Sequence, residues 1–485
     1  MNPSAHIIDS LVRQEARYWK VPGLSMTVTQ KGREPVFFNF GIRNKEQESV
    51  TEDTVFCIAS CTKAMTSSVI AMMVTAGVLS YDEPVSSYLP GFSLADKEAQ
   101  EKTTLGDILC HRTGLGAHDG LWPQRESLGS FIKRFAYLQP SGPFRQKAQY
   151  SNIMYALAGR IAEVRSGKPF AALMKEYLFD PLKMYSTTCS AEALAAEKNH
   201  AMPFQVIDGN LTELPIWNVD TVAPAASVNT TARDMAKWLD FLTRGGVAPS
   251  GKQLIAPEIF KEMITKHISF EDFLPAGDFH AADGYAFGWQ TGFYRGLPIL
   301  KHTGKIEGYS SLQAFLPEEG IGVALLMNLH SPSIAIFHTL LYTVLDEVLA
   351  LPPIDWSHRF HGQTPPAASE YTDCYINLFA ERYPDAVPKK AAAGPWTEGL
   401  AGVYVHPAYG ALTLYDSENG LRMKFRDLDL SVTAYWGNLF RVEGLKEDIL
   451  TYSMPLSVIW GADGKPKAAA LPLEPAVSDI IFWKK

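Results

Sequence analysis

Nothing in this chain approaches the roughly eighteen consecutive apolar residues that a membrane span needs, so no spanning helix is expected. Its first ten residues, Met1 to Ser10, carry neither a basic stretch nor the apolar core of a secretory signal, which points to a cytoplasmic location. Cysteine is scarce. The five present (Cys57, Cys61, Cys110, Cys189, Cys374) are odd in number and scattered, so they read as reduced thiols rather than a disulfide framework or a metal site. Positive charge is not in excess either. Forty-four Lys and Arg stand against 52 Asp and Glu, a net charge of −8, which argues against a nucleic-acid surface. No Gly-x-Ser-x-Gly elbow occurs, which disfavours an α/β-hydrolase. His118-Asp119 has no His-Glu-x-x-His or spaced ligand set beside it, so neither a metal nor a cofactor is expected. The segment from Gly246 to Gln253 nearly fits a phosphate-binding loop. It ends on Gln253 where a Mg²⁺-binding hydroxyl is required, and reads as a surface turn.

What remains is an ordinary globular composition, 46% apolar and 20% charged over 485 residues, enough for two or more cores. Ile7 to Tyr18 reads as a helix. Leu24–Thr29 and Pro35–Phe40 flank a Lys31-Gly32 turn as a hairpin. Residues 62–245 are mostly helical. Strands return over 285–330, where Gln313–Pro317 and Ile321–Met327 bracket Glu318-Glu319-Gly320, and a helix follows from about Ile334 to Leu349. Strands, a helical block and strands again suggest an antiparallel sheet with a helical insertion, an α+β class. The expected first domain is residues 1–384. Residues 385–395 read as a linker, and 396–485 as a small all-β barrel or sandwich forming a lid or edge over the pocket. Within it Leu421, Met423 and Phe425 alternate with Arg422, Lys424 and Arg426, and Asp463-Gly464 marks a hairpin.

Three patterns bear on chemistry. Ser60-Cys61-Thr62-Lys63 heads an apolar helix (Met65, Val69, Met72, Met73, Ala76) stopped at Gly77. It sets a hydroxyl and an amine one turn apart, beside free N–H groups at a helix start. A serine becomes a nucleophile when a neighbour takes its proton, and a charge-suppressed lysine can help. The pattern alone is weak, because Ser130-Phe131-Ile132-Lys133 repeats it on an ordinary amphipathic helix. Tyr150-Ser151-Asn152 precedes a helical run. A tyrosine held near a lysine can be lowered in pKa and act as a base, and an amide can bond both a lysine and a substrate carbonyl. A second Tyr-x-Asn at Tyr375 reads as incidental. His302-Thr303-Gly304 lies before a strand, where glycine lets backbone approach a ligand closely. The aromatics Trp122, Tyr285, Trp289, Tyr294 and Tyr309 could line an acyl site, with core packing the more ordinary role for most.

Taken in order, Ser60-x-x-Lys63, Tyr150-x-Asn152 and His302-Thr303-Gly304 resemble the three motifs of the serine β-lactamase and penicillin-binding-protein superfamily. The closest likeness is to the class C β-lactamase and family VIII esterase branch. Val21-Pro22-Gly23, Leu109–Leu115, Asp180–Met184 and Ala223–Ala226 extend the likeness over about residues 10–350. The resemblance implies a transpeptidase-like antiparallel sheet flanked by helices, with an all-helical subdomain and a small lipocalin-like C-terminal domain. It also implies roles. Ser60 attacks an acyl carbonyl while Lys63 and Tyr150 share its proton. Asn152 positions the acyl group, with His302, Thr303 and Gly304 alongside, and the N–H groups of Ser60 and Lys305 hold the oxyanion. The third motif departs from the family's Lys-Thr-Gly. A mostly neutral His302 replaces a permanent cation that attracts carboxylates, so neutral esters, thioesters or lactones are the expected acyl substrates. A peptidase or peptide cyclase is the alternative enzyme, and a non-catalytic ligand-binding scaffold the alternative outside enzymes. Oligomeric state is left open.

Overall fold

The computed structural model describes residues 3–121, 128–207, 209–270, 280–330, 335–361, 379, 382–383, 399–426, 428–444 and 453–485. The expected linker at 385–395, the Tyr375 repeat and Trp122 lie outside them.

Seven antiparallel strands form the main sheet, in the order Val36–Gly41, Gly23–Gln30, Ile321–Met327, Tyr309–Leu316, Leu297–Ile306, Gln290–Tyr294 and His280–Tyr285. Both sequence-read hairpins are present, with Val28 opposite Val36 and Leu316 opposite Ile321. The central strands are buried on both faces, and alternate residues sort between two cores. Val323, Leu325 and Met327 meet the helices Pro3–Tyr18 and Ala335–Val348. Ala324 and Leu326 turn instead toward the helical region, where Trp238 of the helix Ala232–Thr243 bonds Gln313 at 2.8 Å. The Ser60 helix, Thr62–Thr75, enters that second core. Thr62 through Met73 are all buried, so the helix needs no polar face.

Residues 402–484 close into an eight-stranded antiparallel barrel, with Tyr404 on the first strand paired to Lys484 on the last. The barrel resolves the two architectures left open by the sequence. Alternation does the sorting: Leu421, Met423 and Phe425 are buried and Lys424 is exposed. No helix among the described residues is long and apolar enough to cross a membrane.

Candidate active site

The site starts from a strained turn. Ala59 sits at φ +43°, a left-handed conformation costly for a residue with a Cβ. It bends the chain from the strand Phe56–Cys57 into a 3₁₀ turn, Ala59–Cys61, that runs on into the Ser60 helix. Lys63 follows one turn later and is fully buried. Its Nζ lies 3.0 Å from Ser60 Oγ, 2.6 Å from Asn152 Oδ1 and 3.1 Å from the Ala225 carbonyl oxygen. Burial pushes its pKa down to about 7, against the opposing pull of Asp119 and Cys61. Either protonation state satisfies all three contacts. As an ammonium Lys63 donates to all three; as a free amine it donates to Asn152 and Ala225 and its lone pair can accept from the Ser60 hydroxyl. Cys61, next to Ser60, is buried with its thiol pushed up to about 12, which makes it inert.

Asn152 opens the helix Asn152–Ser166. Its Oδ1 accepts from Lys63 and its Nδ2 donates to Asp119 Oδ1 at 3.1 Å, so the two partners fix which way the amide points. Just before it, Ser151 donates to the Gly116 carbonyl at 2.8 Å, and its N–H donates to His111 Nδ1 at 3.2 Å. The Tyr150 ring packs at a tilt against His111, with centroids 4.5 Å apart, its centroid lies 4.8 Å from Lys63 Nζ, and its hydroxyl faces the Ser60 side chain. The sequence reading allowed a tyrosine of lowered pKa. Here burial dominates and drives the phenol above its ordinary value, despite the nearby Ser60 hydroxyl. Lys63 is therefore the group poised to take a proton near neutral pH, and Tyr150 enters as a neutral phenol.

The strand Leu297–Ile306 brings the third motif alongside. A Cβ on Gly304 would stand 2.2 Å from the Ile58 carbonyl oxygen and 3.0 Å from the Ser60 nitrogen, so only glycine lets this strand lie against the Ser60 turn. Thr303 and Lys305 flank it, half-buried. His302 is buried, and burial with the nearby Lys63 pushes it down to about 3. Its Nδ1 donates to the Thr303 carbonyl at 2.6 Å, which leaves Nε2 to accept from the Tyr285 hydroxyl at 2.8 Å. The imidazole is neutral and locked.

The eight residues read from the sequence thus converge, while the repeat at Ser130 lies exposed on a short helix elsewhere. Of those aromatics Tyr285 reaches the site, whereas Trp289, Tyr294 and Tyr309 are buried. Gly246–Gln253 is a turn closed by a Val247–Gln253 bridge. Sequence reasoning missed Asp119 as the partner of Asn152, and His111 as the ring packed at a tilt against Tyr150. His118-Asp119 drew notice only as a metal pattern, because the contacts that occupy it come from distant segments.

Residues 8–340 match the family model described as Beta-lactamase. A curated relative, the unguisins hydrolase ungD' of Aspergillus campestris, is 26% identical, with 98% of this chain and 90% of that protein covered. Penicillin-binding protein 4 of Amycolatopsis lactamdurans is 27% identical over 64% of this chain and 81% of its own length. Among solved structures, the octameric penicillin-binding protein homologue from Pyrococcus abyssi superposes with a TM-score of 0.60 at 19% identity. That match covers 99% of this chain and 100% of the homologue. The D-amino acid amidase from Ochrobactrum anthropi gives 0.58 at 22% identity, over 74% of this chain and 98% of its own.

Proposed function

The chain belongs to the beta-lactamase family, and on that premise we propose that it is a serine hydrolase or acyltransferase that forms an acyl-Ser60 intermediate from uncharged esters, thioesters or lactones. Neutral Lys63 takes the Ser60 proton as Oγ attacks the acyl carbonyl. The N–H groups of Ser60 and Lys305 receive the oxyanion. As the intermediate collapses, the proton passes from Lys63 through the Tyr150 hydroxyl to the departing alkoxide or thiolate, and the carbonyl re-forms on Ser60. Water, or an acceptor hydroxyl, then attacks the ester and gives its proton back along the same route, freeing Ser60.

One observation carries the preference for uncharged substrates. Where Lys-Thr-Gly would supply a cation, a neutral His302 is held between Thr303 and Tyr285. The full-length match to a protein named for hydrolysing unguisins supports water as the acceptor and a role in small-molecule metabolism. The test offers p-nitrophenyl acyl esters, an acyl thioester, D-amino-acid amides and a cephalosporin in parallel, with intact-mass detection of the acylated protein. Esters or thioesters should acylate fastest and Ser60→Ala should gain no mass. Faster turnover of the amides would overturn the ester preference in favour of a peptidase.

A further inference from the structure

His118 lies in the left-handed region at φ +45°, a strained conformation for a residue with a side chain, and it is fully buried. What holds it comes largely from the barrel. Its backbone N–H donates to the Glu474 carboxylate, and its Nδ1 meets the Tyr409 hydroxyl at 2.8 Å. Its Nε2 lies 2.9 Å from the Gln139 carbonyl, which only an N–H can satisfy, so Nδ1 accepts from Tyr409. Burial keeps this imidazole below its ordinary pKa. Tyr409 and Glu474 are themselves buried. The flanking glycines lie against the same barrel segment. A Cβ on Gly116 would stand 3.5 Å from the Glu474 carboxyl carbon, and one on Gly120 3.3 Å from the Leu473 carbonyl oxygen. The next residue, Asp119, accepts from Asn152, which accepts from Lys63, which contacts Ser60. An unbroken series of bonds therefore runs from the barrel to the nucleophile.

We propose that Asp119 is the positioning residue of the Ser60–Lys63 couple, and that the barrel holds it in place by clamping its neighbour His118 through Tyr409 and Glu474. The proposal rests on Ser60 being the nucleophile. Asp119 does two things in this arrangement. Its carboxylate fixes the Asn152 amide so that Oδ1 points at Lys63. It also supplies the negative charge that offsets the desolvation of the lysine, keeping Nζ basic enough to take a proton. The other groups facing Lys63 do not replace it. Cys61 is a neutral thiol, Tyr150 and Tyr155 are neutral phenols, and His111 and His302 are imidazoles pushed down by burial. Among these, Asp119 carries the one negative charge.

The experiment follows fluorophosphonate labelling of the full chain by intact mass from pH 5 to 9, with a thermal melt of each variant. Asp119→Asn should label about tenfold more slowly on the plateau. Its acid limb should move down by roughly one unit, because loss of the anion lowers the Lys63 pKa. Glu474→Ala should move the limb in the same direction, and the double variant should move it no further than Asp119→Asn alone. Tyr409→Phe keeps the ring packing while removing the donor, so it tests the clamp independently should Glu474→Ala fail to fold. An acid limb unchanged in Asp119→Asn would overturn the role of Asp119. Glu474→Ala and Tyr409→Phe melting lower with limbs unmoved would overturn the clamp and leave the contact structural. Ser60→Ala labelling as fast as wild type would instead sink the nucleophile reading itself, a distinguishable failure.

Discussion

At the residue scale, the proposed mechanism makes the protonation of Lys63 decide when the site works. Its pKa is lowered to about 7, so the amine is a free base above that pH and an ammonium below it. An ammonium cannot take the Ser60 proton, so acylation should fall about tenfold per unit as pH drops below 7. A limb set by His302 would sit near 3 instead. Measuring kcat/KM for an uncharged ester against pH separates the two. Lys63→Arg, permanently charged, should remove at least about 10²-fold of the rate at every pH. The order of the three motifs made Ser60, Lys63, Tyr150 and Asn152 legible, because each is a short local pattern. Which of Lys63 and Tyr150 carries the labile proton was not legible. That depends on relative burial, and burial is set by segments about ninety residues apart, such as the Lys63–Asn152 contact.

Elements meet at the site through one close approach. The His302 strand lies against the Ser60 turn only because Gly304 has no side chain, and the atoms a Cβ would strike include the Ile58 carbonyl and the Ser60 N–H. Backbone cannot swing aside as a flexible side chain does, so Gly304→Ala must push the strand outward. The two N–H groups proposed for the oxyanion would then part. Loss of one such donor costs about 10²–10³ in kcat, and the same order is expected here. Stability should fall by about 1–3 kcal/mol, the usual cost of overpacking. Steady-state kinetics beside a circular-dichroism melt checks both, and unchanged kcat with a lowered melt would separate the strand from the chemistry. Turn signals and periodicity made the long elements legible. The Ser60 helix ends where Gly77 adopts φ +69°, and the hairpins sit at Lys31-Gly32 and Glu318–Gly320. Phe56–Cys57 pairing with Asn229–Thr230 escaped, since two residues carry no period.

For the whole molecule, the change in composition near residue 384 announced a second, β-rich unit, and the alternation at Leu421–Phe425 placed its strands. Closure was beyond the sequence. It depends on Val405 meeting Trp483 across the full length of the unit, a pairing that local pattern cannot encode. The seam with the hydrolase domain was equally hidden, because His118 finds its partners at Tyr409 and Glu474 about three hundred residues away. That seam also bears on how the chain unfolds. Arg134 donates to the Ala408 carbonyl at 2.9 Å, and the buried bonds around His118 would lose their partners if the barrel melted first. Buried polar groups stripped of partners cost about 1–3 kcal/mol each, so independent melting of the two units is disfavoured. Calorimetry of the full chain should therefore give one cooperative transition with matching van't Hoff and calorimetric enthalpies. Glu474→Ala combined with Tyr409→Phe should broaden or split it. Two transitions in the wild type would mean that the seam carries too little energy to couple the units, and that the barrel stands on the hydrolase domain without being built into it.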